Sequence, residues 1–286
     1  MNDKNKIIGF QGDKGAHSDL ACRTYFQGYQ TKAYRSFDEI FDAVANEEID
    51  IAIIPFENSY AGRVAEIHNL LKETNLHITG EYFQDVAHYI AAPQGASLGD
   101  IKEVHSHPQA LMQCRKFISK NKLNKTSCLN TATAAKQIAA KKDKSKAAIC
   151  NKLAAEIYNL EIISDNIADS KDNKTIFISL EKEIPEIEKE KGQKSITTLL
   201  FTVRNIPAAI YKALGGFATN NVNIIKLESY ISGGISQEAE FFISFEGDAD
   251  DRKVQLALEE LGFFSKRIRV LGVYNAATER EIRKHT

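Results

Sequence analysis

The chain lacks most of the residue arrangements that mark a specialised environment. It carries 37 Lys and Arg against 38 Asp and Glu over 286 residues, a formal charge of -1, so no single-sign field exists to grip nucleic acid or an anionic membrane. Its one basic run, Lys141-Lys142-Asp143-Lys144-Ser145-Lys146, is short and interrupted by an acid, which fits a solvated loop. The first apolar stretch, Ile7-Ile8-Gly9-Phe10, is too short for a secretory core or a membrane span, so a cytoplasmic protein is expected. Cys22, Cys114, Cys128 and Cys150 contain no Cys-x-x-Cys pair and are expected as reduced thiols rather than a disulfide framework. His105 and His107 lie two apart without a third ligand nearby, so no metal site is expected and no cofactor is called for. No Ser-His-Asp arrangement accompanies Thr175, a lone threonine opening the alternating strand Thr175-Ile176-Phe177.

What is present is an ordered alternation. Short apolar runs at 7–10, 49–54 and 103–105 are followed by amphipathic segments at 18–26, 64–71 and 108–118, an α/β pattern that predicts a largely parallel sheet. Further strands are predicted at 147–150, 161–164 and 175–180. The segment 182–194 is mostly charged, with Pro185 and Gly192, and reads as an inter-domain linker. Beyond it the pattern is strand 195–203, helix 207–219 with Pro207 in its first turn, strands 222–231 and 238–246, helix 250–261 and strand 267–274. This βαββαβ order predicts a ferredoxin-like domain.

In an open α/β sheet, ligands bind beyond the carboxyl ends of strands. Glu57-Asn58-Ser59, Ser106 to Gln109 and Thr131 to Thr133 all fall there, offering hydroxyls, amides and free N–H groups suited to a small polyanion. Each also has a plainer reading, Ser59, Ser106 and Thr131 as helix caps and Asn58 as a turn former. Glu57 would repel an anion and is better placed holding its loop. The loop Gly9-x-x-Gly12-x-x-Gly15 offers a weak rival, a phosphate cradle, with spacing unlike a dinucleotide fingerprint. A strand period of two puts Thr175, Phe177 and Ser179 on one face and Ile176, Ile178 and Leu180 on the other. If Thr175 faces a cleft, Ile176 is expected to be largely buried away from it, and Ile176→Arg to be destabilising.

The segments Pro55-Phe56-Glu57-Asn58-Ser59-Tyr60-Ala61-Gly62-Arg63-Val64, Ser106-His107-Pro108-Gln109-Ala110-Leu111-Met112-Gln113-Cys114 and Asn173-Lys174-Thr175-Ile176-Phe177 together resemble the prephenate dehydratase family. The family's Thr-Arg-Phe is broken here by Ile176. The resemblance implies two α/β subdomains similar to type II periplasmic binding proteins over residues 6–181, the linker 182–194, and a ligand-sensing ACT domain over 195–276. It implies Thr175 as the proton-positioning hydroxyl, with Glu57, Asn58, Ser59, Ser106, Gln113, Thr131 and Phe177 around the substrate prephenate. For L-phenylalanine as feedback effector it implies Ala208, Ala209, Ile210, Asn223, Leu227, Glu228 and Ser229, in a homodimer or homotetramer. Ala208 stands where the family's motif has glycine, and Tyr230-Ile231 where it has Arg-Pro. Arogenate as substrate, and a non-catalytic small-molecule sensor, stay open as alternatives.

Overall fold

The computed structural model describes residues 6–170, 172–185, 193–231 and 239–282. The chain divides into two compact units, residues up to Leu70 with Tyr82–Ile178, and Leu71–Glu81 with the residues from Ser179 on.

The first unit opens with β1 (Ile7–Gln11), α1 (His17–Tyr25), β2 (Gln30–Tyr34), α2 (Phe37–Ala45) and β3 (Ile51–Asn58). Helix α2 shows why this sequence folds locally as it does. Ser36 accepts from the Glu39 N–H, the Glu39 carboxylate takes the Arg35 N–H, and Phe37, Ile40, Phe41 and Val44 are buried at helical spacing. Strand β3 runs past its apolar stretch to Asn58 and turns back into β4 (Gly62–Arg63). The chain continues through α3 (Ala65–Glu73), β5 (His77–Asp85), β6 (Tyr89–Ala92), β7 (Glu103–Ser106), α4 (Pro108–Gln113), α5 (Arg115–Lys120), β8 (Asn124–Ser127), α6 (Thr131–Lys141), β9 (Lys146–Cys150), α7 (Lys152–Ile157), β10 (Glu161–Ser164) and β11 (Lys174–Glu181).

These strands form two sheets, β2-β1-β3-β11-β5 with β4 on β3, and β10-β6-β9-β7-β8. The chain passes from the first sheet to the second between β5 and β6 and returns between β10 and β11, the two-subdomain architecture expected. In the second sheet neighbouring residues separate onto opposite faces. Ile90, Ala147 and Ile149 pack with Val104, Leu111 and Ile118, whereas Ala91, Ala148 and Cys150 pack with Ala132, Ala135, Ile138 and Ala154.

Several expectations need correction. The second sheet is mixed, with β6 antiparallel to β9 and β10 while β7 is parallel to β8 and β9. The sequence reading placed no strand over 77–92, where β5 and β6 lie. The helix read at 108–118 breaks at Cys114, which leaves helical dihedrals between α4 and α5. Ile176 is only half-buried, because the strand's fully buried stretch begins at the next residue.

The second unit contains β12 (Ser195–Val203), α8 (Ala209–Thr219), β13 (Ile224–Ile231), β14 (Ala239–Glu246), α9 (Arg252–Phe264), β15 (Ser265–Asn275) and α10 (Thr278–Ile282). Its antiparallel sheet has the order β13-β14-β12-β15, the ferredoxin-like arrangement read from the sequence. Leu199, Phe201, Ile243 and Phe245 bury one sheet face against Ala213, Phe217, Val254 and Leu261 of the two helices. Helix α8 starts two residues later than expected. Pro207 sits in the turn before it, and Ala208 takes the N-cap position at φ 57°, left-handed backbone that favours glycine. Residues 186–192 of the charged segment lie outside the described residues.

Candidate active site

The functional cluster of the first unit lies where the two chain crossings meet. The Val86 N–H donates to the Asn173 carbonyl at 2.8 Å, and the Ile167 N–H to the His88 carbonyl at 3.3 Å, which joins the outgoing and returning segments. Beside them β3 ends at Asn58 and β11 begins at Lys174.

Asn58 is the hub. Its Oδ1 accepts the backbone N–H groups of Tyr60 (3.0 Å) and Ala61 (2.9 Å). Backbone amides only donate, so this fixes which end of the side-chain amide is oxygen. Its Nδ2 therefore donates, to Asn173 Oδ1 at 2.9 Å, the Lys174 carbonyl at 3.2 Å and Thr175 Oγ1 at 3.0 Å. The chemical consequence falls on Thr175, which is 8 % exposed. Its oxygen already accepts a hydrogen bond, which leaves its own O–H as a donor and stabilises any charge that develops on Oγ1.

Ser59 reinforces the junction, its hydroxyl donating to the Asp172 carbonyl and accepting the Lys174 N–H at 3.0 Å. Gln113 joins from the end of α4, its Oε1 accepting Asn173 Nδ2 at 3.0 Å and lying 2.7 Å from His88 Nε2. A pocket of about 210 Å³ opens at this point, lined by Gln113 and Asn173 together with Arg115, Asp169, Tyr60 and Met112. Tyr60 and Met112, exposed to 53 % and 68 %, add apolar surface to its lining.

Of the residues read from the sequence, Asn58, Ser59, Gln113 and Thr175 are thus brought together. Others are placed differently. Ser106 is fully buried and its hydroxyl donates to the Ile149 carbonyl at 2.6 Å, tying β7 to the end of β9. Thr131 opens α6 and is buried, but the cap of that helix is Asn130, whose side chain accepts the Thr133 N–H. Phe177 is 1 % exposed and packs with Ile8, Phe10, Ala21, Cys22, Ile51 and Ile53, a core position. Glu57 is half-buried and pairs in register with Arg63 across the β3–β4 hairpin. His107 caps α4 through its ring.

The phosphate-cradle reading fails for a local reason. The Gly15 N–H, where an anion would sit before α1, donates to the Asp19 carboxylate at 2.8 Å, so the helix carries its own anion there. Gly15 is also pressed on α7, a Cβ there falling 2.9 Å from Ala154 Cα. Among the described residues no group of three His, Cys, Asp or Glu could hold a metal ion, and all four cysteines are free.

Sequence reading missed Asn173, His88 and Arg115 as site residues. Asn173 lies 115 residues from Asn58, and His88 lies in the crossing after the unread strand β5, so neither pairing leaves a local trace. The His17 and His88 rings meet edge to face, 5.8 Å between centroids. Burial, and then the neighbouring His88 charge, lower the His17 pKa from 6.5 to about 3. His88 is lowered as well, by burial, against the opposing effect of Gln113.

Thr175 Oγ1 accepts from an amide and keeps its own O–H as a donor, and the adjoining pocket gathers Gln113, Asn173 and the Arg115 guanidinium, an arrangement suited to a small anionic ligand beside a proton donor. A family model described as prephenate dehydratase matches residues 8–185. A bifunctional N-acyl-homoserine lactone acylase/prephenate dehydratase of Komagataeibacter europaeus is 40 % identical, covering 95 % of this chain and 96 % of that protein. Arogenate dehydratase/prephenate dehydratase 2, chloroplastic, of Arabidopsis thaliana is 35 % identical over 97 % of this chain and 74 % of its own. The crystal structure of a prephenate dehydratase from Arthrobacter aurescens in complex with L-Phe is similar at a TM-score of 0.85, 27 % identity, 95 % of this chain and 90 % of that one. The chain belongs to the prephenate dehydratase family, decarboxylating lyases of aromatic amino-acid biosynthesis.

Proposed function

We propose that this chain converts prephenate to phenylpyruvate, with carbon dioxide and water as the other products. The observation that carries this reading is the Asn58 Nδ2–Thr175 Oγ1 hydrogen bond, which leaves the Thr175 O–H as a donor. As the ring carboxylate departs as carbon dioxide, its bonding electrons enter the ring and the 4-hydroxyl leaves with a proton from Thr175. The proton taken up overall comes from solvent and restores the threonine. Aromatisation drives the reaction, so the protein's part is to position the hydroxyl and orient two carboxylates. Gln113 and Arg115 are the groups for those carboxylates, while Asn58, Ser59 and Asn173 hold Thr175. Glu57, Ser106, Thr131 and Phe177 support the surrounding loops, strand ends and core rather than touching substrate.

Residues 6–181 form the catalytic region in this reading and 195–276 an ACT effector domain, joined by 182–194. Two copies pair side by side, and L-phenylalanine binds at the backbone of Ala208, Ala209 and Ile210 with Asn223, Leu227, Glu228 and Ser229. The L-Phe-bound relative supports L-phenylalanine as the ligand, and the start of α8, where N–H groups after Ala209 suit an amino-acid carboxylate, supports its place. The enzyme works in the cytoplasm.

The test is turnover of purified protein on prephenate and on arogenate, with and without L-phenylalanine. Phenylpyruvate formed from prephenate, and slowed by L-phenylalanine, supports the whole reading. Preference for arogenate would make the chain an arogenate dehydratase, and no turnover of either would favour the sensor. The name of the Komagataeibacter europaeus relative adds one arm, release of fatty acid from an N-acyl-homoserine lactone, for which Thr175→Val decides whether the same hydroxyl is used.

A further inference from the structure

We propose that His88 is a positioning residue for the reaction, held as the Nε2–H tautomer to orient Gln113 toward substrate. The inference rests on the dehydratase reading above. Two backbone donors have a direction that cannot change. The Tyr60 and Ala61 N–H groups take Asn58 Oδ1, so Asn58 Nδ2 faces Asn173 and meets an oxygen there. Asn173 then presents its Nδ2 to Gln113, where it donates to Oε1 at 3.0 Å. That same oxygen is 2.7 Å from His88 Nε2, and an amide oxygen only accepts, so His88 Nε2 carries the hydrogen.

Every link is therefore set in one direction, from the β3 turn through three amides to a ring 2 % exposed. Gln113 Oε1 is occupied by two donors, and its Nε2–H groups are left for the pocket it lines. A substrate carboxylate needs donors, so the wrong amide orientation would present it with an oxygen. The remaining ring nitrogen, His88 Nδ1, is buried without a hydrogen-bond partner, and both buried nitrogens of His17 are likewise unpartnered. Buried polar atoms left in this state are costly, and the Nε2–H donor to Gln113 is the one hydrogen bond the His88 ring gains in return. The His17 ring, edge to face on His88, holds that donor on Gln113 by packing.

The experiment compares His88→Leu, which has no donor, with His88→Gln, whose amide nitrogen can reach the Nε2 position. Loss of one oriented hydrogen bond predicts a fall in kcat of about 10-fold for His88→Leu, KM changing less, with most of it restored in His88→Gln while both melt alike. Long-range nitrogen–proton correlation on the wild type should show His88 as the Nε2–H tautomer between pH 6 and 8. A folded His88→Leu with wild-type kcat, or a Nδ1–H tautomer, overturns the proposal. Should His88→Leu not fold, a kcat for His88→Gln more than about 10-fold below wild type overturns it instead. A wild type inactive on prephenate would sink the assigned reaction, and the tautomer would still decide whether His88 orients Gln113.

Discussion

The Asn58–Thr175 cluster and the C-terminal sheet are held together by different physics. In the first, side-chain amides and hydroxyls fix one another's direction, with every donor matched to an acceptor from Tyr60 to His88. In the second, backbones approach so closely that no side chain fits between them. A Cβ on Gly272 of β15 would lie 1.9 Å from the Ile78 carbonyl oxygen, and one on Gly216 of α8 would lie 3.0 Å from the Ala257 carbonyl oxygen of α9. The lesson is that near-isosteric changes should cost the first region its activity and the second its stability.

Thr175→Val tests the first half most severely. It keeps shape and removes the hydroxyl, so turnover on prephenate should fall about 100-fold or more with the melting temperature little changed. Near-normal turnover would remove Thr175 from its role. In the second region, Gly272→Ala should destabilise by about 1–3 kcal/mol, since backbone rather than a flexible side chain must move. A denaturation midpoint equal to wild type would show that the 71–81 segment yields easily.

Acid provides a test of the buried histidines. His17 has a folded pKa of about 3 against 6.5 unfolded, so between these values the unfolded chain binds more protons. Stability should then be full above pH 6.5 and fall as pH drops toward 3, by up to about 1.4 kcal/mol per unit for this group. In His17→Gln, urea midpoints measured between pH 6.5 and 4 should fall less steeply.

Smaller effects sharpen the contrast. Ala208 carries a side chain at φ 57°, so Ala208→Gly should relieve left-handed strain and stabilise by about 0.5–1 kcal/mol. Unchanged stability with altered L-phenylalanine inhibition would instead tie the strain to effector binding. Ile176→Arg, expected from sequence to be damaging, should change stability by less than about 1 kcal/mol, because a half-buried site lets the long side chain carry its charge to water. A large loss would restore the original expectation.

The sequence by itself determined the α/β pattern, the βαββαβ order of the C-terminal sheet, and the segments holding Asn58, Gln113 and Thr175. These are local properties, set by apolar periodicity and by residue types at strand ends. Strand alternation likewise put Phe177 on the Thr175 face, yet the same face holds the core with Ile8 and Phe10, so alternation alone could not say which neighbours fill it. Only the tertiary structure decided that Ser106 spends its hydroxyl on Ile149, that Asn130 rather than Thr131 caps α6, and that Asn173 and His88 belong to the site. The physical reason is sequence distance. Asn58 finds Asn173 across 115 residues and Gln113 finds Asn173 across 60, contacts created when the chain crosses between its two sheets and returns, and no local periodicity records where two crossings meet.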